Sequence, residues 1–218
     1  MRIFSNTAIS IDGKISHSLT NHTPLGSNID KLKMSELRAQ ADAILIGGNT
    51  FRSWPLALIE NEQHSMTIQE PRGKRPIYNV VLTRQGVLPI NNPNRLKHPK
   101  VRWLVFGSHD VDIIGHKSIF ANEVITTENP TVTWAIKELV RRECKVILVE
   151  GGGDLIYQCI REKLLQEMYI TLCPLLIGGD SSPPFILGHG WKNSSPKLNL
   201  ESFEIICNEV FLHYKIDY

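Results

Sequence analysis

The residues best suited to chemistry follow two apolar stretches that end in glycines. Residues 43–47 are followed by Gly-Asn-Thr at 48–50, and residues 146–150 are followed by three glycines at 151–153. Consecutive glycines let the backbone approach a ligand closely and adopt positive φ values. If a helix begins near Asp154, its free N–H groups and the positive end of its dipole favour a pyrophosphate. The second stretch therefore predicts a nucleotide-phosphate site.

Known nucleotide-binding motifs limit this prediction. A glycine pair after a strand also forms ordinary tight turns, so Gly47-Gly48 alone leaves a turn and a ligand site open. The G-x-G-x-x-G fingerprint of Rossmann domains is not met, because Ile156 stands at the sixth position counted from Gly151. A P-loop is excluded as well, since no Lys-Ser/Thr pair follows the glycines. The pattern favours a dinucleotide-binding sheet of another kind.

Three charged residues are candidates for catalysis or substrate binding at such a site. Glu150 directly follows the apolar run 146–149, where a lone carboxylate is costly unless it is hydrogen-bonded or used. Arg38 lies in a helical pattern, where a plain surface charge is the alternative. Asp12-Gly13 is more typical of a turn than of a catalytic acid.

Apolar periodicity predicts an α/β protein. The i, i+3, i+4 spacing within 131–143 and 154–165 indicates helices with one apolar face. Strands alternating with helices predict a mainly parallel sheet covered on both faces, and the last two runs predict an antiparallel hairpin at its edge. The proline-containing segments 54–76 and 84–100 are predicted surface loops. Predicted strands are 2–11, 42–47, 77–83, 101–107, 122–126, 145–150, 167–174, 197–207 and 209–217; predicted helices are 29–41, 131–143 and 154–165.

Composition narrows the class of protein. The 218 residues are 42% hydrophobic and 21% charged, which fits one domain, 1–218, with its own core. The formal net charge is +2 without a basic block, which argues against nucleic acid or an anionic membrane as partner. The start turns polar too soon for a signal peptide, and no apolar run approaches the roughly 20 residues of a membrane helix. The four cysteines form no C-x-x-C pair and lie in apolar runs, so reduced core thiols in the cytoplasm are expected.

Five short motifs, in order along nearly the whole chain, resemble the pyrimidine reductase family of riboflavin biosynthesis, whose fold is that of dihydrofolate reductase. The opening, with Ser5-Asn6, is most similar to the stand-alone archaeal and fungal branch. The motifs are Ser5-Asn6 with Ser10-Ile11-Asp12-Gly13-Lys14, Leu37-Arg38-Ala39 with 41–47 and Thr50, Val80 to Arg84, Glu150 to Gly153, and Leu165 to Glu167 with Pro174 to Gly179.

The resemblance implies both a fold and an activity. The fold would be a dihydrofolate reductase-like three-layer α/β fold, with a mostly parallel central sheet and an antiparallel C-terminal hairpin. The activity would be NADPH-dependent reduction of a ribosylamino-pyrimidine 5′-phosphate to its ribitylamino form, by hydride transfer to the anomeric carbon of the sugar. The enzyme would be a cytoplasmic homodimer. No metal is expected, because the H-x-E…P-C-x-x-C signature of the zinc deaminase in two-domain bacterial members is absent.

The resemblance also implies roles for particular residues. Glu150, Asn6 and Arg38 would face the substrate, and Thr83 with Arg84 would receive the 2′-phosphate of NADPH, which a hydroxyl and a guanidinium suit chemically. The full set of implied cofactor-binding residues is Ala8, Gly47, Thr50, Thr83, Arg84, Gly107, Gly151, Gly152, Gly153, Asp154 and Leu155.

The chain departs from the family pattern at two places. The D-D-P segment is replaced within residues 51–58, Phe-Arg-Ser-Trp-Pro-Leu-Ala-Leu, and the W-I-T stretch by residues 23–26, Thr-Pro-Leu-Gly. Arg52 or His22 is a candidate for a replacement phosphate contact. The proton donor is open between Lys14, Asp12 and a bound water.

Two other functions remain open. Dihydrofolate or dihydropterin reduction needs a carboxylic acid near the first helix, for which Asp30 and Glu36 are the candidates. A nucleotide-binding module without catalysis is the other alternative, and the missing paired acids support it. The sequence also leaves open whether the pyrimidine is deaminated or carries two amino groups.

Overall fold

The computed structural model describes residues 1–18, 24–60, 75–84, 88, 90, 92–109, 120–192 and 194–218. Within these ranges it contains nine strands, four α-helices and one 3₁₀ turn. The strands are β1 (Arg2–Ser10), β2 (Ala43–Gly47), β3 (Ile77–Thr83), β4 (Val101–Ser108), β5 (Glu123–Thr127), β6 (Val146–Glu150), β7 (Glu167–Cys173), β8 (Lys197–Ile206) and β9 (Glu209–Asp217); the helices are α1 (Asn28–Gln40), α2 (Gly48–Ser53), α3 (Val132–Arg141) and α4 (Gly153–Arg161).

All nine strands form one sheet, in the order β5-β4-β3-β2-β6-β1-β7-β9-β8. The pairs from β5 to β7 are parallel, whereas β9 is antiparallel to both β7 and β8. The predicted parallel sheet with a terminal hairpin is therefore confirmed. Because parallel strands share one direction, their carboxyl ends meet along one edge of the sheet, which is where ligands bind in such folds.

The sheet is covered on both faces, which confirms the three layers. On one face, α3 and α4 bury Leu139 and Ile156 against the strands. On the other face, α1 contributes Leu37 and α2 contributes Phe51. The Phe51 ring lies 5.5 Å from Trp103 and 5.2 Å from Phe120, measured between ring centroids.

Local signals explain where the helices begin. The Ser27 hydroxyl accepts a hydrogen bond from the Ile29 N–H (3.0 Å) and caps α1, and Thr131 caps α3 in the same way. By contrast, α4 begins after Gly152, which has a φ of +75° and offers no side-chain cap.

No helix in the described part of the chain is both long and apolar enough to span a bilayer.

The prediction of surface loops is wrong for parts of both segments. Leu58, Leu88 and Leu96 are at most 5% exposed, and Pro93–Leu96 forms a 3₁₀ turn. The buried Asn79 side chain accepts from the Leu58 N–H (2.7 Å) and donates to the Leu58 carbonyl (2.9 Å). These leucines join the core on the α1 and α2 face, because their burial removes apolar surface from water.

The prediction of four core cysteines is wrong at one position. Cys144, Cys159 and Cys173 are buried, and burial raises the pKa of each thiol to about 12. Cys207 is exposed because it lies in the two-residue turn between β8 and β9. Cys207 and Asn208 have φ values of +49° and +67°, as a type I′ hairpin turn requires.

Candidate active site

A buried ion pair joins α1 to the end of β6. The Arg38 Nε donates to Glu150 Oε1 at 2.7 Å, and Nη2 donates to Oε2 at 2.6 Å. The two side chains are only 10% and 11% exposed. A third guanidinium nitrogen, Nη1, donates to the Ile59 carbonyl at 3.3 Å. The carboxylate predicted to be hydrogen-bonded or used is thus held by a bidentate, charge-assisted pair.

The other residue assigned to the substrate lies beside this pair. Asn6 on β1 is in register with Glu150 on β6 and is half-buried. Ala8 follows two residues later, so it points to the same face of the sheet. This is the face that α1 covers, because Phe4 and Leu148 of the same alternation pack in the α1-side core. The structure therefore places Asn6 next to the Arg38–Glu150 pair at the carboxyl edge of the sheet.

The two Gly-rich strand ends lie against each other. Gly151 and Gly152 have φ values of +78° and +75°. A Cβ atom on Gly151 would lie 3.0 Å from Thr50 Cγ2, and one on Gly152 would lie 3.1 Å from Thr50 Oγ1. Glycine is required here both for conformation and for space. The turn leaves the first N–H groups of α4 without a side-chain cap, which suits a pyrophosphate.

The next residues of this turn have different surroundings. A Cβ atom on Gly153 would lie 2.5 Å from the Pro184 carbonyl oxygen and 2.9 Å from that of Phe185. This glycine is therefore needed for packing against the chain. Asp154 is exposed and accepts from Gln158 Nε2 at 2.8 Å. Leu155 is buried beside Gly47, at a distance of 4.0 Å from a Cβ built there.

The residues assigned to the 2′-phosphate lie at the end of β3. Thr83 is buried in register with Gly107 of β4, whereas Arg84 is exposed. Arg52 is close to them, since a Cβ on Gly48 would lie 2.6 Å from Thr83 Oγ1 and 3.2 Å from Arg52 Nη1. Arg52 also donates to Asn49 Oδ1 at 2.6 Å. His22, the other replacement candidate, lies outside the described residues.

A cavity opens beside this strand end. Its volume is about 150 Å³, and Arg84 and Arg161 are among its lining residues. Thr131 and Thr133 line it too, so the cavity lies at the N-terminus of α3. Glu162 also lines the cavity and pairs with Arg161 at 2.8 Å, so the groups that favour an anion there are the Arg84 guanidinium and the N-terminus of α3.

Asp12 and Lys14, the two side chains considered as proton donors, make hydrogen bonds that connect the turn after β1 to residues 177–182. The Asp12 carboxylate accepts from Ser10 Oγ (2.7 Å) and from the N–H groups of Ile177 (3.0 Å) and Gly178 (2.7 Å). These hydrogen bonds, led by that of Ser10, hold the Asp12 pKa well below its usual value. Lys14 Nζ donates to the carbonyls of Gly179 and Ser182, at 3.1 Å each. The turn at Asp12-Gly13 is confirmed by a φ of +76° at Gly13.

The two acids considered for dihydropterin reduction differ in their exposure to solvent. Glu36 is exposed on α1, whereas Asp30 is 9% exposed. Burial raises the Asp30 pKa, and the carboxylates of Glu209 and Glu150 raise it further. The Thr171 side chain lowers it. Sequence reasoning missed Thr171 and Glu209, because only the folded sheet brings β7 and β9 next to α1.

The buried pair makes a prediction about stability. Arg38→Met leaves the Glu150 carboxylate buried without its partner, so we expect the free energy of unfolding to fall by about 3–5 kcal/mol. The double variant Arg38→Met/Glu150→Gln removes both charges and is expected to recover part of that loss. Urea denaturation measures both. Arg141→Ala, at a side chain 73% exposed, is the control and should change stability by less than about 0.5 kcal/mol. A double variant no more stable than the single one would contradict the pairing.

Comparison with known proteins places the chain in a family. A 2,5-diamino-6-ribosylamino-4(3H)-pyrimidinone 5′-phosphate reductase of Aquifex aeolicus is 26% identical over 199 residues, which cover 88% of this chain and 85% of that protein. A protein of the same name from Archaeoglobus fulgidus is 27% identical over 208 residues, covering 94% and 93% of the two chains.

Solved structures confirm the dihydrofolate reductase-like fold. A pyrimidine reductase-like protein of Corynebacterium diphtheriae superposes with a TM-score of 0.80 at 20% identity, covering 100% of this chain and 92% of that one. Acinetobacter baumannii RibD gives 0.77 at 18% identity, covering 99% of this chain and 58% of the other. Residues 2–212 match the family model of the RibD C-terminal domain, and the chain therefore belongs to that family.

Proposed function

We propose that this chain is an NADPH-dependent reductase of riboflavin biosynthesis, which converts a ribosylamino-pyrimidine 5′-phosphate to its ribitylamino form. The observation that carries the proposal is the buried Arg38–Glu150 pair, with Asn6 in register beside it and the glycine turn directly after Glu150. The names of the Aquifex and Archaeoglobus relatives favour the diamino form of the substrate over the deaminated one.

The residues present fit a nicotinamide dinucleotide. Gly151 and Gly152, with the free N–H groups of α4, would hold the pyrophosphate, and the open backbone at Gly47 would line the cofactor groove. The bound nicotinamide would supply the hydride for the anomeric carbon. The protein's own part is alignment: Glu150 has lone pairs beyond those that Arg38 occupies, so it can accept from a substrate hydroxyl or amino group.

This role predicts the effect of one substitution. Glu150→Gln keeps the shape but weakens the acceptor and the ion pair, so we expect turnover to fall by about 100-fold with NADPH affinity little changed. NADPH oxidation at 340 nm, with both phosphorylated pyrimidines as substrates, measures the first, and fluorescence titration the second. Glu143→Gln, at a side chain 76% exposed, is the control. Full activity of Glu150→Gln would refute the role.

We propose NADPH rather than NADH as the cofactor on the basis of the cavity beside β3. Arg84 lines it together with the N-terminal turn of α3, and a guanidinium beside a helix N-terminus suits the 2′-phosphate. Arg84→Ala is expected to weaken NADPH binding by about 10–100-fold, since hydrogen bonds to charged groups contribute about 1.5–3 kcal/mol. NADH binding should stay the same. Equal losses for both cofactors in fluorescence titration would exclude this assignment.

We propose a homodimer that forms through the C-terminal hairpin. Leu198, Leu200, Phe203 and Ile205 on β8 are 44–65% exposed, and their partners in β9 place them on one face of the sheet. An exposed apolar row of this kind is typical of a protein interface. Phe203→Glu is expected to shift the sedimentation coefficient from dimer to monomer. A monomeric unsubstituted protein would count against the dimer.

The remaining proposals concern the organisation of the enzyme. We propose a single-domain cytoplasmic reductase, 1–218, whose widely spaced free thiols suit a reducing compartment.

Dihydropterin reduction is the second candidate function, and one observation favours it. Asp30 provides a buried carboxyl group on the first helix, as that reaction needs. Including dihydrofolate in the NADPH assay separates the two activities. NADPH binding without oxidation by any of these substrates would indicate the inactive module.

A further inference from the structure

Asn79 is a buried amide on the face of the sheet that α1 covers. It lies on β3, is 0% exposed, and stands two residues from both Ile77 and Val81, which pack in the α1-side core. Only β2 separates β3 from β6, so Asn79 lies about 10 Å from the strand that ends in Glu150 at normal strand spacing. A polar side chain buried at this place is costly unless its donor and its acceptor are both used.

One residue of the segment after α2 satisfies both polar atoms of Asn79. Oδ1 accepts from the Leu58 N–H at 2.7 Å, and Nδ2 donates to the Leu58 carbonyl at 2.9 Å. Leu58 is 5% exposed, so its backbone groups receive here the partners that a neighbouring strand would otherwise provide. An amide side chain offers a donor and an acceptor side by side, which this contact requires. Asn79 therefore fixes the backbone of Leu58 above the sheet.

Two further contacts hold the segment 57–60, to which Leu58 belongs. At its start, the Ala57 N–H donates to the Arg95 carbonyl in the 3₁₀ turn at 2.8 Å. At its end, the Glu60 carboxyl group, on a residue 1% exposed, lies 3.9 Å from Lys100 Nζ. The segment is thus attached at three points, and the amide of Asn79 is the one that attaches it to the sheet.

Ile59, between two of these attached residues, contacts the buried ion pair. Its carbonyl accepts from Arg38 Nη1 at 3.3 Å, whereas the Glu150 carboxylate accepts from Nε and Nη2. The guanidinium group is planar, so acceptors at all three nitrogens fix both its position and its plane. Because Ile59 lies directly after Leu58, a shift of Leu58 away from Asn79 would move this carbonyl relative to Arg38.

We propose that Asn79 is a positioning residue for the reduction, an inference that rests on the proposed function. Asn79 holds residues 57–60 so that the Ile59 carbonyl orients the Arg38 guanidinium. Arg38 in turn aligns the Glu150 carboxylate, which accepts from the substrate in the proposed function. Asn79 therefore acts on turnover through Arg38 and not by contact with the substrate.

The test compares Asn79→Leu with the unsubstituted protein in the NADPH-oxidation assay. Leucine has a similar shape but neither hydrogen bond, so we expect kcat to fall by about 10–100-fold, since a misplacement of about 1 Å costs up to about 100-fold. The KM for NADPH should stay the same, because the proposed pyrophosphate site is the turn at 151–153. Asn122→Leu is the matched control: the Asn122 side chain also binds backbone, accepting from the Trp103 N–H at 2.8 Å, and kcat should not change.

A double-mutant cycle with Arg38→Lys separates this role from a general effect on the fold. Lysine keeps a positive charge beside Glu150, but its single nitrogen has no plane for the Ile59 carbonyl to orient. In the Arg38→Lys background we expect Asn79→Leu to lower kcat by less than about 3-fold further, because residues of one hydrogen-bond network do not act additively. An effect of Asn79 that bypasses Arg38 would give the same fold-loss in both backgrounds.

The outcomes separate this inference from the proposed function. An active unsubstituted protein together with an equally active Asn79→Leu overturns the positioning role alone, as do equal losses in both Arg38 backgrounds. If circular dichroism shows Asn79→Leu unfolded, the smaller Asn79→Ser takes its place in the cycle, and unfolding of both variants overturns the role, which would then be structural. If the unsubstituted protein reduces neither phosphorylated pyrimidine, the proposed function fails and this inference fails with it.

Discussion

The ion pair between Arg38 and Glu150 is the interaction on which the site depends. It joins α1 to β6 across 112 positions of the chain, with both charges almost entirely removed from water. Such a pair tolerates little displacement, because a buried charge without its partner is strongly destabilising. The pair therefore fixes the position of α1 against the carboxyl edge of the sheet.

The second constraint is the close approach of two strand ends. Thr50 packs directly on Gly151 and Gly152, so the first turn of α2 and the start of α4 form one surface. Side chains at these glycines would clash with Thr50 and require an unfavourable backbone. The same bare main chain that permits this packing exposes the N–H groups of α4. Packing and anion binding thus have one structural cause.

Periodicity was sufficient to predict most of the fold, and its failures are local. The strands from β1 to β9 lie within one residue of their predicted bounds at every end. The helices α3 and α4 end earlier than predicted, because Glu143 and Lys163 adopt φ values of +62° and +54°. Hydrogen bonds from the following residues back into each helix satisfy its last carbonyls, and no glycine marks these ends in the sequence.

The candidate site was predictable only in part, since the motifs identified Arg38 and Glu150, but their bidentate pairing exists only once α1 packs against the end of β6. The most direct test of the proposed cofactor site is a crystal structure of the protein grown with NADPH. We expect the pyrophosphate against the N–H groups at residues 151–153, with the nicotinamide directed towards Glu150. A turn left empty by the bound cofactor, or filled by side chains of the protein, would contradict it.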